Sequence, residues 1–505
     1  MKIPVIKVRQ WLPEWDGVDF SKEEYRRKPE GCFYMFTISA KKLKRLSAVY
    51  RRSLTDRMSG DVDLGIQRQH DSKRSEEIRK YVKWGYPWSE MSDEQRAMEE
   101  FKNLQKPGWL PTSIVVNVLG EDDTRSGKKV AACDLIKLSE DGNAFVIPEH
   151  IDDAWKPQGI PPIEIIDGQH RLWSFDESSD DFELPVVAFR GLDISWQAYL
   201  FWSINIKPKK INPSLAFDLY PLLRAQDWLE GFNGPIVYRE ARAQEIVELL
   251  WSTEGSPWYH RINMLGERGI KAQVTQAAWI RSLLSTYIKP WKHPEITIGG
   301  FYGVLQDGKT VIPWPRFCQA MFLMYLGIKL RDSIKRGTDI PWVVMVTSGE
   351  LTGVGVSAFE SPVSLLNTDQ GVRGFLDVTN SILCVLYAEL NGEYQLISED
   401  VVDEMIGLGD YVSCLNKLAP KLCGLIDELS AVMARYDWRS YEADFSQDPS
   451  GQLIKNARAG FRGSGGYRLI RDDLIGFVSR TAHAGMLKTA VDRIAYMNGV
   501  VVTNI

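Results

Sequence analysis

The chain has 505 residues, of which 44% are hydrophobic and 25% charged, and a formal net charge of −5. This is the composition of an ordinary globular protein, with a length that fits roughly two to four domains. It excludes a protein that coats nucleic acid through a uniformly basic surface, so any contact with DNA must be local.

No apolar run is long enough to span a bilayer, and the first residues lack the apolar core of a signal peptide. We therefore expect a cytoplasmic protein without membrane contact. The six cysteines are scattered, and none forms a C-x-x-C pair or lies at a zinc-ligand spacing from a histidine. We expect them to be reduced and mostly buried, and we expect no metal held by the protein alone.

The first basic region follows an irregular arm, predicted for residues 1–30, and a strand at residues 32–38. A helix is predicted from Ser39 to about Arg52. Between Lys41 and Lys83 there are 13 Lys/Arg and 6 Asp/Glu residues, an excess of positive charge in an acidic chain. A solvated helix face explains such a run, and so does a surface for the DNA backbone. The DNA-binding candidates here are Lys41, Lys42 and Arg45.

Three elements come next along the chain. A loop containing Gln67 and Arg68 precedes an amphipathic helix predicted for residues 74–82. A strand predicted for residues 110–118 then begins at a Pro-Thr-Ser entry containing Thr112 and Ser113. Turn signals between residues 121 and 159 predict a hairpin or an insertion.

The segment Ile163–Leu172 predicts a buried strand, an Asp-Gly turn, and a helix that begins at Gln169 and runs to about Glu177. His170 and Arg171 occupy the first turn, where the helix dipole favours negative charge, so their partner could be an anionic ligand such as a phosphate. In the alternative, both side chains face solvent. Asp167 either caps the helix, which its residue type favours, or binds Mg²⁺ beside the phosphates.

A further strand at residues 184–189 and a helix at residues 195–205 complete a small α/β domain, predicted for residues 31–224. Helical periodicity then predicts a mainly α-helical domain at residues 225–446. The last domain, residues 447–505, would contain a basic glycine-rich loop and C-terminal helices. The whole chain is thus expected to be α+β.

Two later segments are candidates for ligand contact. Thr368 or Asp369 is expected to cap a helix, and a second ligand contact at this turn is the alternative. Residues 456–468 are rich in glycine, and the stretch 455–480 carries six Lys/Arg against two Asp/Glu. This composition is typical of a surface loop, and it also allows DNA contact through Arg462 and Arg468.

Several familiar chemistries have no support in this sequence. It contains no G-x-x-x-x-G-K-[ST] loop, so an ATPase of the P-loop type is excluded. It also lacks the H-E-x-x-H motif and the G-x-S-x-G nucleophile elbow.

The five residues Asp167-Gly168-Gln169-His170-Arg171 match the signature after which the DGQHR-domain proteins are named. That family includes proteins associated with bacterial DNA phosphorothioation and DNA 7-deazaguanine modification. The order of the Gln-Arg loop, the helix and the Pro-Thr-Ser entry is also similar to the wider ParB/sulfiredoxin-like fold, where these pieces frame a nucleotide. Gly168 and the three segments containing Gln67, Arg68, Thr112, Ser113 and Asn205 would then bind its phosphates.

The resemblance also shows two departures. Sulfiredoxins have a Cys where this chain has Gln169, and Gln169 is no nucleophile, so reduction of sulfinic acid through this position is excluded. ParB-type nucleotide hydrolases hold a metal with a Glu-Asn pair, whereas this chain has Ile204 before Asn205.

The resemblance implies a nucleotide-phosphate-binding protein that hydrolyses ATP within a bacterial DNA-modification or phage-defence system. Its catalytic residues would be Asp167, Gln169, His170 and Arg171, its cofactors ATP or another nucleotide with Mg²⁺, and its partners DNA and other components of a modification complex. A DNA-binding transcriptional regulator without turnover and a nuclease of the same superfamily are the alternatives. Whether the chain forms a homo-oligomer stays open.

Overall fold

A six-stranded mixed sheet organises the first part of the chain in the computed structural model. The strand order is β2-β3-β11-β5-β10-β4. Contacts divide the chain into two units, Met1–Lys210 and Ile211–Ile505, and the sheet belongs to the first. The structure describes residues 1–18, 20, 27–49, 71–125, 127–175, 182–205, 212–223, 236–267, 274–292, 297–298, 300–302, 305–306, 309–310, 314–348, 357–399, 407–446, 448–463 and 465–500.

The first unit contains eleven described strands and five described α-helices. The strands are β1 (Lys2–Pro4), β2 (Ile6–Arg9), β3 (Cys32–Ser39), β4 (Ser47–Ala48), β5 (Ile114–Val118), β6 (Thr124–Arg125), β7 (Lys128–Lys129), β8 (Lys137–Leu138), β9 (Ala144–Val146), β10 (Ile163–Asp167) and β11 (Glu183–Arg190). The helices are α1 (Ala40–Leu46), α2 (Ser72–Trp84), α3 (Asp93–Arg96), α4 (Gln169–Leu172) and α5 (Ile194–Asn205).

Alternating burial shows how the sheet forms its core. In β3 the buried side chains are Tyr34, Phe36 and Ile38, and the residues between them are more exposed. This period of two is expected of a strand with one face on the core. The neighbouring β11 pairs antiparallel with β3 and parallel with β5, so the predicted strands at residues 32–38 and 184–189 are confirmed.

Strand β10 lies inside the sheet and carries the Asp-Gly corner at its end. It pairs antiparallel with β5 and parallel with β4, and its first four residues are all buried. Burial on both faces explains why exposure does not alternate along this strand, in which Glu164 is the one charged residue among the four buried ones. The register shifts between Ile165 and Asp167, which directs the end of the strand out of the regular ladder.

Two local predictions in this unit were wrong. Residues 1–30 were expected to be irregular, but β1 pairs with β9 and β2 pairs with β3, because this segment supplies edge strands to two sheets. The helix predicted to reach Arg52 ends at Leu46, since Ser47 and Ala48 leave it to pair with β10. Its predicted start is confirmed, because Ser39 Oγ accepts a hydrogen bond from Lys42 N at 3.4 Å.

A buried ion pair joins β10 to the β6–β7 hairpin and to α5. Glu164 Oε1 and Oε2 accept hydrogen bonds from Arg125 Nε at 3.1 Å and Nη2 at 2.6 Å. Gln197 Nε2 donates to the same carboxylate at 2.8 Å. All three side chains are buried, so the Glu164 carboxylate depends on Arg125 and Gln197 for these hydrogen bonds.

The second unit is mainly helical. Its described helices are α6 (Pro213–Asp218), α7 (Tyr220–Leu223), α8 (Ile236–Ser252), α9 (Gln276–Ser285), α10 (Arg316–Arg336), α11 (Pro341–Ser348), α12 (Asp369–Val385), α13 (Tyr387–Glu399), α14 (Leu408–Leu418), α15 (Pro420–Ala434), α16 (Gly451–Ala459), α17 (Gly466–Thr481) and α18 (Met486–Asn498). Its strands form three two-stranded pairs: β12 (Ile262–Asn263) with β13 (Val274–Thr275), β14 (Trp291–Lys292) with β15 (Thr297–Ile298), and β16 (Leu305–Gln306) with β17 (Lys309–Thr310).

Helix α10 is the most deeply buried part of the second unit. Residues Cys318–Gly327 are all buried, and the helix packs against α8, α14 and α15. Helices α12, α17 and α18 pack together in the same core. The α+β class predicted from the sequence is confirmed. Among the described residues, no helix is both long enough and apolar enough to cross a membrane.

We expect Glu164→Ala to lower the free energy of unfolding by about 3–5 kcal/mol, because it leaves the buried Arg125 charge without its partner. The matched control is the double variant Arg125→Met/Glu164→Leu, which removes both charges and keeps apolar volume. Urea unfolding followed by circular dichroism compares the two. An alanine variant as stable as the double variant would contradict the role given to this ion pair.

Candidate functional site

The corner after β10 has a tighter geometry than the sequence predicts. Gly168 follows Asp167 with φ of +96°, in the left-handed region that glycine adopts most readily. The helix that it begins, α4, ends at Leu172, so the predicted end near Glu177 was wrong. Ser174 N and Phe175 N donate to carbonyls only three residues earlier, and Ser174 Oγ donates to Arg171 O at 2.6 Å. A single helical turn has little dipole, so the cations here must act through their own charge.

Arg171 is the centre of a hydrogen-bond network at this corner. Its Nη2 donates to Asp167 Oδ2 at 3.0 Å, and its Nη1 donates to Thr112 O at 3.1 Å and also to Thr112 Oγ1. Within the described part of the chain, its Nε–H makes no hydrogen bond. The structure therefore brings together two segments that the sequence predicted separately, the Pro-Thr-Ser entry and the Asp-Gly corner.

Asp167 bridges two of the predicted site residues. Its Oδ2 accepts from Arg171, and its Oδ1 accepts from Asn205 Nδ2 at 3.1 Å. The predicted helix cap by Asp167 was wrong, because Gly168 occupies the N-cap position and no side chain caps this helix. The side chain instead joins the last residue of α5 to the guanidinium of Arg171.

Gln169 and His170 are both buried, so the alternative in which His170 faces solvent was wrong. Helix α2 packs over them, and Ser75 Oγ donates to His170 O at 3.2 Å. Among the residues that the structure describes, none donates a hydrogen bond to Gln169 Oε1. A buried amide oxygen without a donor is costly to the fold, which is the usual reason to look for a ligand or water at such a position.

A second guanidinium lies near the first. Burial lowers the pKa of Arg171, Asp167 opposes this, and the positive charge of Arg74 on α2 lowers it further. Asp71, which caps α2, has its pKa lowered by backbone hydrogen bonds from Arg74 and Lys73, with a contribution from His170. The sequence did not identify Arg74 as a site residue, because an arginine in a helix of mixed charge is usually solvated on the surface.

The structure describes one of the three remaining residues that were predicted to bind phosphate. Ser113 is half-buried beside Thr112, at the entry to β5. Gln67 and Arg68 lie outside the described residues.

The predicted DNA-binding residues of α1 lie beside acidic groups. Arg45 Nη1 donates to Asp153 Oδ1 at 2.6 Å and to Asp152 O at 2.8 Å. Arg45, through a hydrogen bond and its charge, lowers the pKa of Asp153, and Lys41 and Lys42 add to the effect. These three cations thus share one carboxylate, which reduces the positive charge that they offer to a phosphate backbone.

Packing requires glycine at one position of the glycine-rich segment. Helix α17 begins at Gly466, where a Cβ atom would lie 1.6 Å from Phe461 O. Arg462 lies over the ring of Tyr441, with 4.8 Å between the guanidinium carbon and the ring centroid. Arg468 is largely exposed and forms a 3.5 Å ion pair with Asp472. Contact with DNA at this segment stays a prediction.

Thr368 caps helix α12 as expected. Its Oγ1 accepts a hydrogen bond from Gly371 N at 3.1 Å. Asp369 lies in the first turn, where burial raises the pKa of its carboxyl and Arg281 opposes this shift. A side chain from Gly371 would meet Leu365 O at 1.8 Å, so this position also requires glycine.

A cavity of about 600 Å³ lies in the second unit. Cations line it on two sides, Lys289 and Lys292 near β14 and Arg471 on α17. Asp377 also lines it, and burial raises the pKa of that carboxyl. None of the residues predicted from the sequence lines this cavity.

The Asp167–Arg171 corner could hold Mg²⁺ only together with a bound phosphate, because one carboxylate supplies too few oxygen ligands. Asp167 is the carboxylate bound at the corner, and both of its oxygens already accept hydrogen bonds. Mg²⁺ prefers six oxygen ligands and commonly combines one or two carboxylates with substrate phosphates and water. Among the described residues, the one cluster with three metal-ligand types lies elsewhere, at Cys133, Asp134 and His150.

Comparison with models of protein families, with curated proteins and with solved structures finds no match to this chain.

We expect Gly168→Ala to lower the free energy of unfolding by about 2–3 kcal/mol. The new Cβ atom would lie 2.7 Å from the buried Ile114 Cδ1 and 3.0 Å from Arg171 Nη2, in addition to the strain of a positive φ. The control is Gly142→Ala, where φ is +74° but no atom lies within 4 Å. That variant should lose only about 1 kcal/mol. Equal losses in chemical unfolding would refute crowding at the corner.

Proposed function

We propose that the corner at Asp167–Arg171 binds the phosphates of a nucleotide, and that the protein hydrolyses ATP there. The proposal includes the setting that the DGQHR resemblance implies, a bacterial DNA-modification or phage-defence system with DNA and other components as partners. The observation that supports it is the environment of Arg171. This guanidinium is largely buried, fixed in direction by Thr112 and Asp167, and close to a second cation, Arg74.

Charge at the corner favours an anionic ligand. Arg171 and Arg74 lie close enough for one to lower the pKa of the other, and Asp167 is the carboxylate hydrogen-bonded to Arg171. A phosphate oxygen near Arg171 would relieve the repulsion between the two guanidinium groups. Arginine suits this task because it stays charged and offers several N–H donors in one plane.

Each residue of the network would have a separate task in hydrolysis. Arg171 would stabilise the charge that develops on the transferring phosphoryl group. Gln169 would orient the attacking water through its side-chain amide, whose Oε1 has no donor within the described residues. Asn205 and Thr112 would hold Asp167 and Arg171 in place. Mg²⁺, when bound beside Asp167, would neutralise part of the phosphate charge.

The test is phosphate release from ATP and Mg²⁺, with and without duplex DNA, by the wild-type protein and by Arg171→Ala. We expect the variant to lose at least about a hundredfold in rate, the order of magnitude for removing a group that stabilises transition-state charge. Gln169→Ala should lower the rate while nucleotide binding persists. Binding is measured separately by titration with a fluorescent ATP analogue.

The matched control is Arg9→Ala, which removes an exposed arginine from β2 in the same unit. It should leave both hydrolysis and nucleotide binding unchanged. If neither wild type nor variants release phosphate, but DNA binding is lost with salt and with Lys41→Ala/Lys42→Ala, the protein is a DNA-binding regulator and the proposal fails.

A further inference from the structure

Three side chains with metal-binding chemistry meet in the first unit, away from the Asp167–Arg171 corner. Cys133 and Asp134 lie in a 3₁₀ turn, Ala132–Asp134, and His150 lies in the turn after β9. One ligand atom from each lies within 4.8 Å of the other two. Sixteen residues or more separate the histidine from the other two, a spacing that belongs to no familiar zinc pattern, so the fold alone reveals the cluster.

The contacts inside the cluster centre on one carboxylate. Asp134 Oδ1 lies 2.8 Å from His150 Nε2 and 3.7 Å from Cys133 Sγ. Trp155 Nε1 also donates to this oxygen, at 3.1 Å. Metal–ligand bonds of about 2.0–2.3 Å in a tetrahedral site place neighbouring ligand atoms about 3–4 Å apart. Small side-chain rotations are enough to reach that geometry, because Cys133 and His150 are exposed.

A second observation concerns the burial of Asp134. Asp134 is almost completely buried, and its Oδ2 has no hydrogen bond of ordinary geometry within the described part of the chain. A buried carboxylate oxygen without a hydrogen-bond partner is costly to the fold, and a cation bound by this carboxylate would offset that cost.

We propose that Cys133, Asp134 and His150 bind one divalent transition-metal ion, and that this ion is Zn²⁺. Thiolate and imidazole ligands favour zinc over Mg²⁺ and Ca²⁺, which prefer oxygen. Three protein ligands leave a fourth tetrahedral position for water. Trp155 keeps its hydrogen bond to Asp134 and orients the carboxylate, as outer-shell groups commonly do.

Binding requires one proton to leave. The Cys133 thiol gives up its proton to solvent as the Zn–S bond forms, since only the thiolate is a ligand. His150 binds through Nε2 as a neutral imidazole. The proton between Nε2 and Asp134 leaves that nitrogen while Nδ1 takes one up from solvent, so the ring keeps a single proton and a bond to the shared metal replaces the hydrogen bond. No redox change is involved.

The test uses untagged full-length protein, freed of metal with a chelator and titrated with Zn²⁺ against a chromophoric chelator. We expect one equivalent to bind. Cys133→Ser and His150→Ala should each weaken binding by roughly tenfold or more, because loss of a ligand costs at least as much as loss of an outer-shell partner. Co²⁺ in place of Zn²⁺ should give the absorption of a cobalt–thiolate bond in the wild type and none in Cys133→Ser.

The controls are Cys32→Ser, a half-buried cysteine of β3, and His483→Ala, an exposed histidine of the second unit. Neither should change the affinity or the cobalt spectrum. Alkylation of Cys133, followed by mass spectrometry, should be slowed by Zn²⁺. Absence of stoichiometric binding, or binding that survives both ligand variants, would overturn the proposal whatever the outcome of the ATP experiments.

Discussion

The buried carboxylate of Glu164 is the constraint on which the rest of the first unit depends. It sits in the middle of β10 and takes hydrogen bonds from Arg125 on a hairpin and from Gln197 on α5. Two charges withdrawn from water tolerate little displacement, because either one alone would be far more costly than the pair. The hydrogen bond from Gln197 to the same carboxylate fixes α5 along β10, and Asn205 at the end of that helix then lies within reach of Asp167.

The corner built on this frame combines two neighbouring guanidinium groups with a buried amide oxygen. Arg171 pairs with Asp167, and the charge of Arg74 nearby lowers the pKa of Arg171, while a buried amide oxygen on Gln169 has no donor among the described residues. Neither the two neighbouring guanidinium groups nor the amide oxygen without a donor stabilises the fold. In the nucleotide-binding proposal, phosphate oxygens would pair with the guanidinium groups and water would donate to Gln169, which is how functional sites commonly depart from the rules that cores obey.

Much of this architecture could be predicted from sequence, because strand alternation and helical periodicity are local signals. The strands around Phe36 and Val186 follow directly from them. The Asp-Gly-Gln-His-Arg segment also identified the corner, but not its geometry. A helix of four residues replaced the longer one expected, and Asp167 accepts hydrogen bonds from Arg171 and from Asn205 on α5 instead of capping. Such outcomes depend on partners distant in sequence. The cluster at Cys133 and His150 was invisible for the same reason, since two loops create it.

The open edge of the sheet has a consequence for how copies of this protein meet. In the described part of the chain the six-stranded sheet ends at β2, a strand of four residues that carries Lys7 and Arg9. An unpaired strand edge is a template for another strand, and short length and cationic side chains are common ways to prevent that pairing. Two copies aligned at this edge would bring like charges face to face. Self-association, where it occurs, is therefore expected to leave β2 free in solvent.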